Sequence, residues 1–252
     1  MKKIKIFLAL LLCFCLSAAN VSAANAYNWY CKRAKGGARP EAEADMSFIS
    51  DHGGAYIGKN AEEKVLYLTF DAGYENGNIA RILDVLKKHG AHGAFFVLEN
   101  LVLRNTELVK RMAAEGHLVC NHTARHKDMT KMTDEQFAAE LQRLEAVLRE
   151  KAGVECAKFY RPPEGRFNEK NLDTAASMGY KTVFWSLAYA DWDNEKQPEP
   201  EKSKQLLLAN THNGAVILLH PTSKTNADIL DALLTEWEAQ GYRFGTLPEL
   251  FE

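Results

Sequence analysis

Five short stretches carry the side chains that could do chemistry. Asp71 closes the run Val65-Leu66-Tyr67-Leu68-Thr69-Phe70 and opens the turn Ala72-Gly73-Tyr74-Glu75-Asn76-Gly77. A carboxylate carried to the end of a core strand loses hydration, so it is either a turn or cap residue or a working acid–base group. His122 and His126 are four apart. On a helical turn that spacing puts both imidazoles on one side, where they can hold one metal ion; the alternative is a pair of solvated histidines. Arg161 stands before Pro162 and Pro163, which fix the backbone, and a guanidinium so held can orient a carboxylate or close a structural salt bridge. His220 follows the apolar run Ala215 to Leu219 and precedes Pro221. A histidine there can serve as a general acid if a carboxylate raises its pKa, and Asp191, in Ala190-Asp191-Trp192, is the candidate.

These residues need a scaffold that brings strand ends together. From residue 64 strand and helix signals alternate, with strands expected near 64–70, 93–98, 118–121, 157–160, 181–187, 215–220 and 242–246. Ile79, Ile82, Leu83 and Leu86 repeat at helical spacing before Gly90, Thr133 to Gln136 reads as a capping box, and residues 225–240 give a further amphipathic helix. Repeated β–α alternation implies a mainly parallel sheet, open or closed into a barrel. Asp71, His122, Arg161, Asp191 and His220 all fall just past strands, where parallel α/β folds build their sites. Residues 27–63 read as an irregular N-terminal arm whose rings (Tyr27, Trp29, Tyr30, Phe48, Tyr56) are expected to pack on the domain.

The chain has 252 residues, a length one large domain can fill, with 46% hydrophobic and 25% charged residues. Residues 1–26 read as a secretory signal: Lys2, Lys3 and Lys5, an apolar stretch from Ile6 to Leu16, then Ala24-Asn25-Ala26. The apolar stretch is short for a membrane span, so an exported chain without stable membrane insertion is expected. Removing it leaves 28 basic against 33 acidic residues, a net charge of −5, which argues against a nucleic-acid partner. Cys31, Cys120 and Cys156 then remain, enough for one disulfide or for free thiols.

Thr69 to Gly73, the His122/His126 pair, Arg161-Pro162-Pro163, Asp191-Trp192 and Leu218-Leu219-His220 resemble, in order, the five motifs of the polysaccharide deacetylase family, also called the NodB-homology family or carbohydrate esterase family 4. The resemblance covers residues 64–248. The stretches 71–77 and 185–192, with Tyr27-Asn28-Trp29-Tyr30, are similar to the muramic delta-lactam branch, de-N-acetylases acting on spore-cortex peptidoglycan. The resemblance implies a single distorted (β/α) barrel. It implies Asp71 as general base, Arg161 as its orienting partner, His220 as general acid and Asp191 as the group tuning it. It implies His122 and His126 as ligands of a divalent metal, zinc first, and Trp192 and Leu218 as apolar walls, with Tyr74 a further substrate contact. Peptidoglycan glycan strands are the partner so implied, acted on by a monomer.

One position breaks the pattern. Most family members carry a second acid after the base, the third metal ligand, and here it is Ala72. A weaker or exchangeable metal is therefore expected. Deacetylation of N-acetylglucosamine polymers or acetyl-xylan would use the same motifs, and a non-catalytic glycan-binding protein is the reading of another class. Glu164 and Arg166 are either sugar or peptide contacts or solvated loop charges.

Overall fold

The computed structural model describes residues 25–30 and 32–252, so the segment read as a secretory signal, apart from Asn25 and Ala26, and Cys31 lie outside the described residues. The strands are β1 (Tyr27–Asn28), β2 (Gly54–Ala55), β3 (Val65–Ala72), β4 (Ala94–Val97), β5 (Leu118–Asn121), β6 (Ala157–Tyr160), β7 (Arg166–Phe167), β8 (Lys181–Val183), β9 (Ala215–Leu219) and β10 (Arg243–Gly245). The helices are α1 (Asn78–Lys88), α2 (Glu99–Arg104), α3 (Thr106–Ala114), α4 (Asp134–Val147), α5 (Glu169–Ser177), α6 (Pro200–Ala209), α7 (Lys224–Ala239) and α8 (Leu247–Phe251). No helix among the described residues is long and apolar enough to cross a membrane.

The main sheet is parallel and runs β9–β3–β4–β5–β6–β8–β2. β3 is long enough to serve two neighbours on one edge. Val65 to Tyr67 pair with β10 and Thr69 to Ala72 with β4, while β9 occupies the other edge. Single-residue bridges from Ile57 to Ala215 and from Leu187 to Ile217 join the two ends of the sheet. The result is the distorted α/β barrel that the resemblance implies, one of the two closures the alternation allowed.

Strand alternation sorts the core into two layers. Leu66, Leu68 and Phe70 face the helices, beside Ile82, Leu86, Leu230 and Trp237. Val65, Tyr67, Phe96, Val183 and Val216 face the barrel interior, where Leu247 and Leu250 of α8 join them. α1 ends as its sequence requires: Gly90 has φ 58°, its N–H reaches the Lys87 carbonyl, and Ala91 N–H reaches that of Leu86. The Thr133/Gln136 capping box opens α4.

Two expectations change. The strand read over 181–187 stops at Val183, because the chain then leaves its neighbours and crosses to β9: Ser186 N–H donates to the Val216 carbonyl and Leu218 N–H to that of Leu187. The arm also does more than lie over the domain. β2 extends the sheet beside β8, β1 pairs antiparallel with β7, and buried Trp29 packs with Met46, Ile49, Phe167 and Phe184. The Trp29 indole N–H donates to the Trp185 carbonyl at 2.9 Å. Cys120 and Cys156 are both free thiols. If the arm is part of the cooperative core, Trp29→Ala lowers unfolding free energy by about 3–5 kcal/mol. Urea denaturation checks this; a loss below about 1 kcal/mol would mean the arm detaches independently.

Candidate active site

On β3 the interior positions after Val65 and Tyr67 are Thr69 and Asp71, and directly against them sits Arg161, the residue that follows β6. Its side chain is 0% exposed. Nη1 donates to Asp71 Oδ1 at 2.8 Å, Nη2 to Thr69 Oγ1 at 2.9 Å and to the Phe184 carbonyl at 3.2 Å, and Nε to the Val183 carbonyl at 3.0 Å. The guanidinium also lies over the Phe96 ring, 4.2 Å from its centroid. Burial alone would raise the Asp71 carboxyl. The charge of Arg161, helped by His122 and His220, outweighs burial and holds Asp71 below the usual carboxylate range.

His122 lies beside this pair. Its Nδ1 meets the Arg161 carbonyl at 2.9 Å, and since a carbonyl only accepts, Nδ1 is the donor. Nε2 therefore keeps its lone pair, 3.5 Å from Asp71 Oδ2. Burial, reinforced by His126, lowers His122 to about 4 despite the pull of Asp71, so the ring is a neutral base. The two histidines do meet, with centroids 5.0 Å apart. A helical turn does not bring them together, which corrects the expectation from their spacing. They sit on a loop in which Thr123 (φ 71°) and His126 (φ 54°) take left-handed backbone. Thr123 N–H donates to Asn121 Oδ1 at 2.9 Å and His126 N–H to Thr123 Oγ1 at 3.0 Å. Between them Arg125 is clamped by the buried Glu140 carboxylate, Nε to Oε1 at 2.7 Å.

The second carboxylate is also buried but differently partnered. Asp191 Oδ1 accepts His220 Nδ1–H at 2.7 Å, and Oδ2 accepts the His220 backbone N–H at 2.8 Å and Asn226 Nδ2–H at 2.6 Å. Burial works against a charged His220, but Asp191, by hydrogen bond and by charge, more than offsets it and sets the imidazole above its ordinary value. Asn226 also donates to the His220 carbonyl at 2.9 Å and accepts from the Tyr189 hydroxyl. It sits in the first turn of α7, and no spacing rule in the sequence pointed to it.

These groups open onto one cleft of about 810 Å³. Asp71, His122, His126, Trp192, Leu218 and His220 line it, with Arg161 and Asp191 behind the wall. Trp192 is 62% exposed, its ring 6.3 Å from that of His220, so it offers an open apolar face, whereas Leu218 is buried. Tyr74 is a correction: it is not on the cleft wall but on an exposed turn, where Asn194 donates to its hydroxyl. Of the two loop charges, Glu164 lines the cleft, in left-handed backbone at φ 57°, while Arg166 pairs with Asp128 at 3.3 Å. Trp185, Tyr30 and Arg33 also line it and were missed. Tyr30 and Arg33 belong to an arm rich in rings and Trp185 to the segment after β8, and neither context gives direction to a side chain.

A profile of the polysaccharide deacetylase family matches residues 58–183. Peptidoglycan-N-acetylmuramic acid deacetylase PdaA of Bacillus subtilis is 39% identical over 224 residues, 88% of this chain and 85% of that protein. The chain belongs to the polysaccharide deacetylase family. The solved structure of Bacillus subtilis PdaA, a family 4 carbohydrate esterase, superposes with a TM-score of 0.86 at 38% identity, over 89% of this chain and 96% of that one. A peptidoglycan-N-acetylglucosamine deacetylase of Bacillus cereus is 32% identical over 211 residues, 82% of this chain and 75% of that protein. The chain is accordingly a deacetylase.

Family 4 deacetylases are generally metal-dependent, so the donors here can be tested against a metal. No group of three or more His, Cys, Asp or Glu side chains with metal-holding geometry occurs among the described residues. Ala72 is fully buried in the helix-facing core and brings no donor. A neutral His122 with its Nε2 lone pair free, and His126 beside it, nevertheless fit two nitrogen ligands, with Nδ1 of His122 already fixed by a carbonyl as ligating imidazoles require.

Arg161 neutralises a buried carboxylate, so Arg161→Met leaves Asp71 charged and unpaired. We expect a loss of about 3–5 kcal/mol at neutral pH. Asp71 is held low in the folded parent, so the pair stabilises it at neutral pH and fades only as pH falls through that depressed pKa. In the variant Asp71 protonates earlier, and the difference between the two proteins shrinks toward acid pH. Urea titrations across acid to neutral pH check the sign; a pH-independent difference would contradict the pairing.

Proposed function

We propose that this chain is an exported hydrolase that removes the N-acetyl group from N-acetylmuramic acid residues of peptidoglycan, on the way to muramic delta-lactam in spore cortex. One observation carries the chemistry. Asp71, held ionised by Arg161, and His220, held protonatable by the buried Asp191, face one cleft. The muramic residue is favoured over N-acetylglucosamine because the likeness to PdaA is higher, over more of the chain, than that to the Bacillus cereus enzyme. The basic, apolar, small-residue order of the first 26 residues supports export.

In this reading Asp71 takes a proton from a water as its oxygen attacks the amide carbonyl carbon. Arg161 keeps the carboxylate ionised and oriented until then. His220 donates from Nε2 to the amide nitrogen as the carbon–nitrogen bond breaks, and Asp191 stabilises the imidazolium beforehand. Acetate and a free amine result. Trp192 and Leu218 bound the space for the acetyl methyl. A divalent ion on His122 and His126, zinc first, would supply Lewis-acid polarisation of the carbonyl and a more acidic water. With Ala72 giving no third ligand, that ion exchanges readily.

Incubating the mature chain with peptide-free glycan strands, with and without divalent metal, should release acetate and leave free amines detectable by mass spectrometry. Absence of both under every metal condition would reject the reading, while turnover of chitin oligomers alone would transfer it to N-acetylglucosamine. Asp71→Asn and His220→Ala should each reduce kcat by about 10²–10⁴-fold. The working form of His220 is protonated, and its pKa is raised. Activity is therefore retained below that value and lost as pH rises through it. Asp191→Asn removes the cause of the elevation, so the alkaline limb of kcat/KM should move to lower pH. An unmoved limb would remove His220 from the acid role.

A further inference from the structure

The N-terminal arm places a cation in the cleft that the hydrolysis does not use. Arg33 lines the same space as Asp71 and His220. One of its N–H groups, on Nη2, donates to the Ala188 carbonyl at 3.1 Å, which ties the side chain to the segment leading into Asp191. Among the described residues Arg33 makes no ion pair, although the adjacent Lys32 is paired with Glu43. Glu164, on the same cleft, does not pair with it either. The other guanidinium at the site, Arg161, is committed to Asp71. The remaining Arg33 donors, in their planar fork, face no protein acceptor among the described residues.

We propose that Arg33 is a specificity-determining residue that binds the carboxylate of the 3-O-lactyl substituent on a peptide-free N-acetylmuramic residue; this rests on the muramic reading above. The argument is one of desolvation. A glycan strand lying over the cleft strips water from whatever lines it. Covering an unpaired guanidinium with a neutral sugar loses hydration without return, whereas covering it with a carboxylate replaces water with a charge-assisted, bidentate pair. N-acetylmuramic acid differs from N-acetylglucosamine by that one lactyl ether, and its carboxylate is free only when no peptide is attached. An uncommitted arginine therefore selects both for the muramic residue and against one still carrying its peptide. The Ala188 tether keeps the cation fixed relative to Asp191 and His220, so anchoring the lactyl group would also orient the neighbouring N-acetyl group.

The test uses three neutral or charged versions of one choice: peptide-free glycan strands, the same strands with the lactyl carboxyl amidated, and N-acetylglucosamine oligomers. Arg33→Gln keeps an N–H donor for Ala188 but no charge, and Arg33→Lys keeps charge without the fork. In the parent, kcat/KM should favour the carboxylate strand over the amidated one. Arg33→Gln should lower that ratio about 10- to 100-fold, mainly through KM, and Arg33→Lys should fall between. Raising salt should erode the parent's preference and leave that of Arg33→Gln unchanged. If Arg33→Gln loses the same factor on charged and amidated strands, the residue merely supports the Ala188 segment and the proposal fails while the muramic reading stands. A parent that prefers the amidated strand also overturns it. A parent active on N-acetylglucosamine oligomers and inactive on every muramic strand overturns both.

Discussion

The buried pair between Arg161 and Asp71 is the constraint around which the rest of this structure is arranged. A guanidinium with no exposed surface must find acceptors for its donors or it would not remain buried. It finds them on β3, β8 and the segment after β8, so a single side chain joins strands that are not neighbours in the sheet. Its own backbone carbonyl then orients His122, and its backbone N–H donates to the Asn121 carbonyl at 3.0 Å. Proposed base, candidate metal ligand and barrel interior are thus positioned from one residue. The two prolines after it hold the strand exit that lets this happen.

Most of this was legible in the sequence for physical reasons that can be named. Strand positions follow from apolar runs whose two faces are both buried, and the ends of α1 and α4 follow from Gly90 and Thr133, which act locally. Asp71, His122, Arg161 and His220 were legible because each is a polar residue abutting such a run, whereas Asp191 lies in the segment beyond the end of β8 at Val183. What could not be read depends on contacts distant in sequence. The His122/His126 loop needs left-handed backbone at Thr123 and at His126 itself, which neither residue type announces. Asn226 acts through Asp191, 35 positions away. The arm's share in the sheet rests on two residues, Gly54 and Ala55, too few for any periodicity.

The arm changes how the cleft is to be understood. Trp29 anchors it in a cluster with Phe167 and Phe184, and its indole bonds to the backbone of Trp185, itself on the cleft wall. Packing and recognition are therefore one arrangement: the buried ring fixes the register that places Tyr30 and Arg33 at the cleft. Tyr30, half exposed, is held through its hydroxyl by Glu43 at 2.7 Å and leaves its ring face open to a sugar. The proposed base and acid, Asp71 and His220, come from strand ends, as parallel barrels provide, while the proposed selectivity comes from a segment outside the repeating β–α units.

The same logic accounts for the opposite roles proposed for two aspartates, Asp71 at the end of β3 and Asp191 in the segment that follows β8. Both are shielded from water, and for Asp71 burial by itself would favour the neutral form. Asp71 faces a guanidinium that does not titrate in the working range, so its proton affinity is lowered and it is ionised at neutral pH, as the proposed base requires. Asp191 faces an imidazole, a partner that titrates, and it spends its remaining lone pairs on Asn226 and a backbone N–H. It is therefore left as a fixed field that raises His220 rather than as a base. Had an arginine stood beside Asp191, His220 would lack the carboxylate that raises it, and the proposed proton donor would be lost. The proposed assignment of roles thus depends on which cation each carboxylate meets, and that is decided by where Arg161 leaves β6 and His220 leaves β9.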